Sequence, residues 1–166
     1  MFVHLGADYL GYERARTLEA WLAEAGYEVR WHGAAEYDHE DDYPVYSIRV
    51  GHAVVQDEDN TVMSKGIVVG GTGSAETIVA NKVRGGRAVA GVSVSAVVDA
   101  RQHADANILV LGATEQSLEQ SQALITAFLN TNFLNILDDA RRVINTAEFE
   151  NSGTIEGWLI DEAESN

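Results

Sequence analysis

Short apolar runs alternate along the chain with longer stretches in which apolar residues return every three or four positions. Residues 1–7 form an apolar run ending in Gly6-Ala7-Asp8. The stretch after it puts Ala15, Leu18, Leu22 and Ala25 on one face and stops at Gly26. The run predicts a strand and the periodic stretch a helix. Tyr27 to Trp31 predicts a second strand. An acidic loop, Glu36 to Asp42, leads into Tyr43-Pro44, and Pro44 suits a helix's first turn because its missing N–H needs no partner there. Ile48, Gly51, His52 and Val55 then predict the inward face of a second helix.

Lys65 to Val69 is continuously apolar after its first residue, as strands buried on both faces are. It empties into Gly70-Gly71-Thr72-Gly73-Ser74, and Ala75 to Val83 predicts a helix. Arg87 to Gly91 and Asn107 to Leu111 predict two more strands, with a helix from about Ser95 between them. Leu118, Ile125, Phe128 and Leu129 mark a further helix, and Phe133, Leu137, Ala140, Ile144 and Ala147 a last one. Strands and helices alternating at this spacing predict a parallel sheet covered on both faces. The expected fold is a Rossmann-like α/β three-layer sandwich with a five-stranded sheet, residues 1–131 forming the core. Residues 132–166, the last helix and an acidic tail, read as an appendage that packs on a neighbouring subunit. Within the tail, Trp158, Leu159 and Ile160 are expected to dock on the body or on a partner.

Length and composition narrow the chemistry. The chain has 166 residues, 46% hydrophobic and 22% charged, which fits one globular domain. There is no cysteine, so disulfides, thiolate metal sites and a thiol nucleophile are excluded. A formal charge of −15, from 11 basic and 26 acidic side chains, repels nucleic acid and anionic membranes, so neither is an expected partner. The first residues lack the basic segment of a signal peptide, and no apolar stretch is long enough to span a bilayer. A cytoplasmic protein is the expectation.

Ligands of such sheets collect at the carboxyl ends of strands, where Asp8, the glycine loop and the segment after Leu111 should converge. The loop GGTGSAE, residues 70–76, joins a strand to a helix. Its glycines permit tight turns, and the helix start offers unpaired N–H groups that stabilise an anion. The spacing is neither the dinucleotide fingerprint nor a P-loop. On the residues alone, a ligand cradle and a bare structural turn both stay open. So do two readings of Glu76, a base or a helix-dipole partner, and of His103, a site residue or an ordinary hydrogen-bonded histidine.

Taken together, the segments resemble a known family. GADYLGY (6–12), DYP (42–44), GGTGSAE (70–76), ANKV (80–83), GGRA (85–88) and ARQHADAN (100–107) occur in the order and spacing of ribose-5-phosphate isomerase type B, to which galactose-6-phosphate isomerase subunits are related. The resemblance runs from the first strand to about Glu148. Many members carry a catalytic cysteine where this chain has Gly70, and Glu76 matches the glutamate used instead by the subgroup typical of actinobacteria. His103 matches the family's ring-opening histidine and Asp8 an acid beside the sugar. Gly71, Thr72, Gly73, Ser74 and Ala75 match the substrate-cradling loop.

The implied reaction moves a carbonyl from C1 to C2. Glu76 would carry the proton between the two carbons, provided partial burial raises its pKa. Backbone N–H groups at 71–75 would hold the enediolate oxygen, and His103 would shuttle a proton as the ring opens. The resemblance implies no metal and no cofactor. The five histidines also lack HExxH-like pairing. Family sites lie between subunits, so a homodimer or a dimer of dimers is expected.

Four positions depart from the family pattern. Asp8-Tyr9 replaces Asp-His, with Tyr9 then facing the sugar, and His103-Ala104 replaces His-Asn. Leu111-Gly112-Ala113-Thr114 lacks an arginine, and Asp138 stands where the first arginine of a C-terminal phosphate cluster belongs, leaving Arg141 and Arg142. A phosphate usually takes charge-assisted arginine contacts, each worth roughly 1.5–3 kcal/mol. Three readings follow. One is a sugar-phosphate isomerase with an anchor rebuilt from Arg141, Arg142, Arg84 or Lys82. The second is an isomerase of an unphosphorylated or unusual sugar. The third is a non-catalytic sugar-binding or partner subunit, against which the retention of Glu76 and His103 argues.

Overall fold

In the computed structural model, which describes residues 1–154, the apolar runs pair side by side. Strands β1 (Phe2–Ala7), β2 (Glu28–Trp31), β3 (Ser64–Gly70), β4 (Ala88–Ala90) and β5 (Ile108–Gly112) form one sheet in the order β2-β1-β3-β5-β4. All neighbours are parallel, with Leu5 opposite both Trp31 and Ile67, and Val69 opposite Leu111. Burial on both faces explains why β3 and β5 read as unbroken apolar runs. The edge strand β2 instead alternates, with Glu28 and Arg30 exposed.

Helices α1 (Tyr12–Glu24), α2 (Tyr43–Asp59), α3 (Ser74–Ala80), α4 (Val94–Ala104), α5 (Leu118–Asn130) and α6 (Leu137–Ser152) complete the described chain. Leu18 and Leu22 of α1, Val97 of α4, and Ile125 and Phe128 of α5 pack on the face of the sheet that presents Leu5, Ile67 and Leu109. Val50 and Val54 of α2, with Ala80 of α3, cover the other face on Val68, Ile108 and Val110. The expected five-stranded parallel sandwich is therefore present.

One helical face differs from expectation. The buried residues of α2 are Tyr46, Ser47, Val50, Gly51 and Val54, while Ile48 and His52 are exposed and Val55 is half-buried. The sheet beneath decides the phase. A Cβ at Gly6 would strike Val50, and one at Gly66 would strike Val50 and Val54, so the two valines occupy the room those glycines leave. Counting apolar residues along α2 alone does not reveal that complementarity.

The α2 side also buries a polar chain. His4, 2% exposed, lies 2.9 Å from Asp57 Oδ2 through Nε2 and 2.8 Å from His32 Nε2 through Nδ1. A carboxylate only accepts, so His4 donates from Nε2 to Asp57, while its Nδ1 faces the His32 ring. Burial pushes His32 down to about 4, and neighbouring His4, Arg49 and Arg30 add to the shift.

The final helix is sparsely covered. Leu137 and Ile144, on the stripe expected to meet a partner, are 83% and 64% exposed, and Ile136 and Phe149 are also exposed. Trp158, Leu159 and Ile160 lie outside the described residues. Among those described, no helix is long and apolar enough to cross a membrane.

Candidate active site

The sheet order reverses between β1 and β3, and a crevice opens at such a switch point beyond the strands' carboxyl ends. Asp8 follows β1 and Gly71 follows β3, so the two segments meet there by topology. Gly73 starts α3 with φ of 82°, a left-handed conformation that a glycine adopts without steric cost. That turn swings the chain back and sets Glu76 in the helix's first turn.

Glu76 is 5% exposed, and no hydrogen bond among the described residues reaches its carboxylate. Its head lies against Gly70, where a Cβ would strike the Glu76 Cδ and Oε1. Position 70 is therefore glycine because the glutamate fills the space a side chain would take. With no hydrogen-bond partner among the described residues and an opening onto a cleft, the carboxylate is left for a ligand.

The cleft at this carboxylate has a volume of about 430 Å³, and Asp8, Tyr9, Gly71, Thr72 and Ala75 border it together with Glu76. These are six of the expected site residues. Ser74 borders the neighbouring cleft, which Thr72 shares. Thr72 and Gly73 make no backbone N–H hydrogen bond among the described residues, so their donors remain available to an oxyanion. Gly71 and the segment after β5 are tied together, since Gly71 O accepts from Thr114 N at 3.0 Å and from Thr114 Oγ1 at 2.9 Å.

Asp8 is buried and accepts a hydrogen bond from Gly11 N at 3.0 Å. Burial raises its pKa to about 6, and the nearby Glu76 and Asp41 carboxylates push in the same direction against the Gly11 hydrogen bond. A proton held there at mildly acidic pH would let Asp8 donate as well as accept.

Several lining residues lie outside the set expected from sequence. Leu10, Asp41, Asp42, Tyr43 and Thr114 also border the cleft. Asp41 Oδ1 accepts from Tyr9 N at 2.8 Å, joining the acidic loop to the turn after β1. The DYP motif at 42–44 was the available signal, and its contact with residue 9 is what the linear sequence hides. Arginine and lysine are missing from the lining residues.

His103 and Arg141 are elsewhere. His103 ends α4, at the opposite end of β5 from the cleft, and borders a separate groove with Arg142 and Thr146 of α6. Its Nδ1 is 2.8 Å from Asp139 Oδ2. Arg141 is exposed and pairs with Asp138 at 2.9 Å. Within one chain, then, Glu76 and His103 do not meet.

Comparison with known proteins accounts for this arrangement of segments. A family model described as Ribose/Galactose Isomerase matches residues 3–145. The chain belongs to that family. Ribose-5-phosphate isomerase B of Mycobacterium tuberculosis is 36% identical over 150 residues, 90% of each chain. The solved ribose-5-phosphate isomerase B of Clostridium thermocellum superposes with a TM-score of 0.84 and 33% identity, over 93% of this chain and 100% of its own. The Mycoplasma genitalium enzyme, solved with bound ribulose-5-phosphate, gives 0.83 and 26% identity over 91% and 97%. The buried glutamate and the glycine turn both lie within the residues that the family model matches.

Proposed function

We propose that this chain is an aldose–ketose isomerase that interconverts ribose 5-phosphate and ribulose 5-phosphate by proton transfer through an enediolate. The observation that carries the reading is the unpartnered Glu76 carboxylate, turned onto Gly70 in a cleft shared with Asp8. In the reaction Glu76 removes the proton from C2, whose electrons form the C1–C2 double bond as the carbonyl oxygen gains charge. Free N–H groups of Thr72 and Gly73 hold that oxygen. Glu76 returns the proton to C1 as the C2 hydroxyl gives up its proton to O1 and its O–H electrons form the C2 carbonyl, and no redox partner is consumed. Asp8 and Tyr9 orient sugar hydroxyls.

The complete site is read as shared between two copies, one giving the Glu76 cleft and the other His103 with Arg142. Support comes from the separation of the two groups within one chain and from the exposed Leu137 and Ile144 of α6, which a second copy would cover. A second substrate reading, an unphosphorylated aldose, is favoured by one observation. Four of the cleft's lining residues are acidic and none is cationic, while Arg141 is engaged by Asp138.

Incubation of the purified protein with ribose 5-phosphate, ribose, allose and galactose, with ketose formation followed, separates these. Ketose from ribose 5-phosphate is expected. Turnover of a free sugar alone would select the second reading, and turnover of none, with sugar still bound, would leave a non-catalytic subunit.

A further inference from the structure

Asp139 lies in the first turn of α6 and is 1% exposed. Both of its oxygens are engaged. Oδ2 accepts from His103 Nδ1 at 2.8 Å, and Oδ1 accepts from Arg142 at 2.7 Å. The hydrogen bond from His103 holds the Asp139 carboxyl below the usual carboxylate range, with Arg142 adding to the effect. The start of α6 favours the same ionised state.

An ionised carboxylate has only lone pairs to offer, so the ring nitrogen facing it must carry the hydrogen. A neutral His103 is thereby fixed as the Nδ1–H form, with a lone pair on Nε2. The ring is 44% exposed and borders the groove with Arg142, Thr146 and Asn81. Among the described residues no hydrogen bond engages Nε2, so this nitrogen is the one left for a ligand.

We propose that Asp139 is a positioning residue for sugar ring opening, holding His103 in the tautomer whose Nε2 can take a proton. The inference rests on the isomerase reading given above. In the step, Nε2 takes the proton of the anomeric hydroxyl, and that O–H bond's electrons become the second bond of the C1 carbonyl. The bond from C1 to the ring oxygen breaks with its electrons on that oxygen, which receives the proton from Nε2. One proton moves from one sugar oxygen to another and nothing else is consumed. The Asp139 charge stabilises the imidazolium in between, and with the opposite tautomer Nε2–H has no lone pair with which to begin.

Nitrogen-15 NMR of the full chain, with His103 assigned by its loss in His103→Asn, tests the tautomer directly at about pH 8. Protonated Nδ1 and unprotonated Nε2 are expected, and Asp139→Asn should raise the share of the opposite tautomer. On ribose 5-phosphate, Asp139→Asn should lower kcat by about 10- to 10,000-fold, from the loss of an orienting partner at a metal-bound histidine to that at a general-base histidine, with KM within about twofold. A wild-type ring protonated on Nε2 overturns the proposal whatever the activity. So does an Asp139→Asn protein turning over at the wild-type rate while His103→Asn is impaired. If the variant fails to fold, the wild-type tautomer still decides. A wild type with the expected tautomer but no isomerase activity removes the ring-opening role through failure of the underlying reading, leaving the Asp139 contact intact.

Discussion

Replacing Gly70 by alanine tests how Glu76 is held. The new Cβ would strike the Glu76 Cδ and Oε1 and stand 2.7 Å from Oε2, so the carboxylate must leave its place. What it meets is the far end of a flexible side chain, not backbone, and a rotamer change relieves the clash. Stability should therefore fall by no more than about 1–2 kcal/mol, the low end of the range for overpacking. Catalysis is less tolerant, because a displacement near 1 Å can cost about 100-fold. Urea melts and steady-state kinetics on ribose 5-phosphate should show a nearly native midpoint with kcat reduced roughly 100-fold. Combining Gly70→Cys with Glu76→Ala places a thiol in the vacated volume and should recover part of the loss. Wild-type kcat in Gly70→Ala would refute the reasoning, since the carboxylate would then be free to move without consequence.

Two ionisable groups give opposite pH dependence, and single variants separate them. Asp8 is raised to about 6, so the folded state binds the extra proton and stability falls as pH rises from about 3.8 to 6. Asp8→Asn, which keeps an acceptor for Gly11 N, should stabilise the fold at pH 7.5 by at most about 3 kcal/mol, a gain absent below about pH 4 in chemical melts. His32 is lowered to about 4, so its contribution is full above about 6.5 and is lost as pH falls toward 4. Allowing for the ring's partial exposure this amounts to about 1–2 kcal/mol, and His32→Gln should flatten that limb of the stability profile. Glutamates at Leu137 and Ile144 together should shift light scattering from dimer to monomer and abolish turnover. A monomeric wild type would contradict the shared site.

The legible parts of the fold were those that local pattern determines. β3 is an unbroken apolar run feeding a glycine turn, and its position follows from burial on both faces. Asp8, the turn and Glu76 were legible because a parallel sheet sends the ends of β1 and β3 to one edge. The inward face of α2 was not, since Gly6 and Gly66 of the sheet, not the helix's own periodicity, admit Val50 and Val54. Asp41 reaching Tyr9 across 32 residues, and Asp139 reaching His103 across 36, are contacts of the folded chain. Asp138 stands out in the sequence for the arginine it replaces, whereas the buried acid that holds the histidine is its neighbour. The His4, His32 and Asp57 chain is hidden for the same reason, since its members come from β1, the residue after β2, and α2.

Proton exchange at carbon is the most direct test of Glu76 as the base. With ribose 5-phosphate in deuterium oxide, the wild-type protein should form ribulose 5-phosphate and incorporate deuterium at the carbons between which the proton moves. Glu76→Gln should lose both signals by about 100- to 10,000-fold, the usual worth of a positioned acid–base group, while still binding the sugar. Deuterium incorporation at the wild-type rate in Glu76→Gln would show that another group removes the proton.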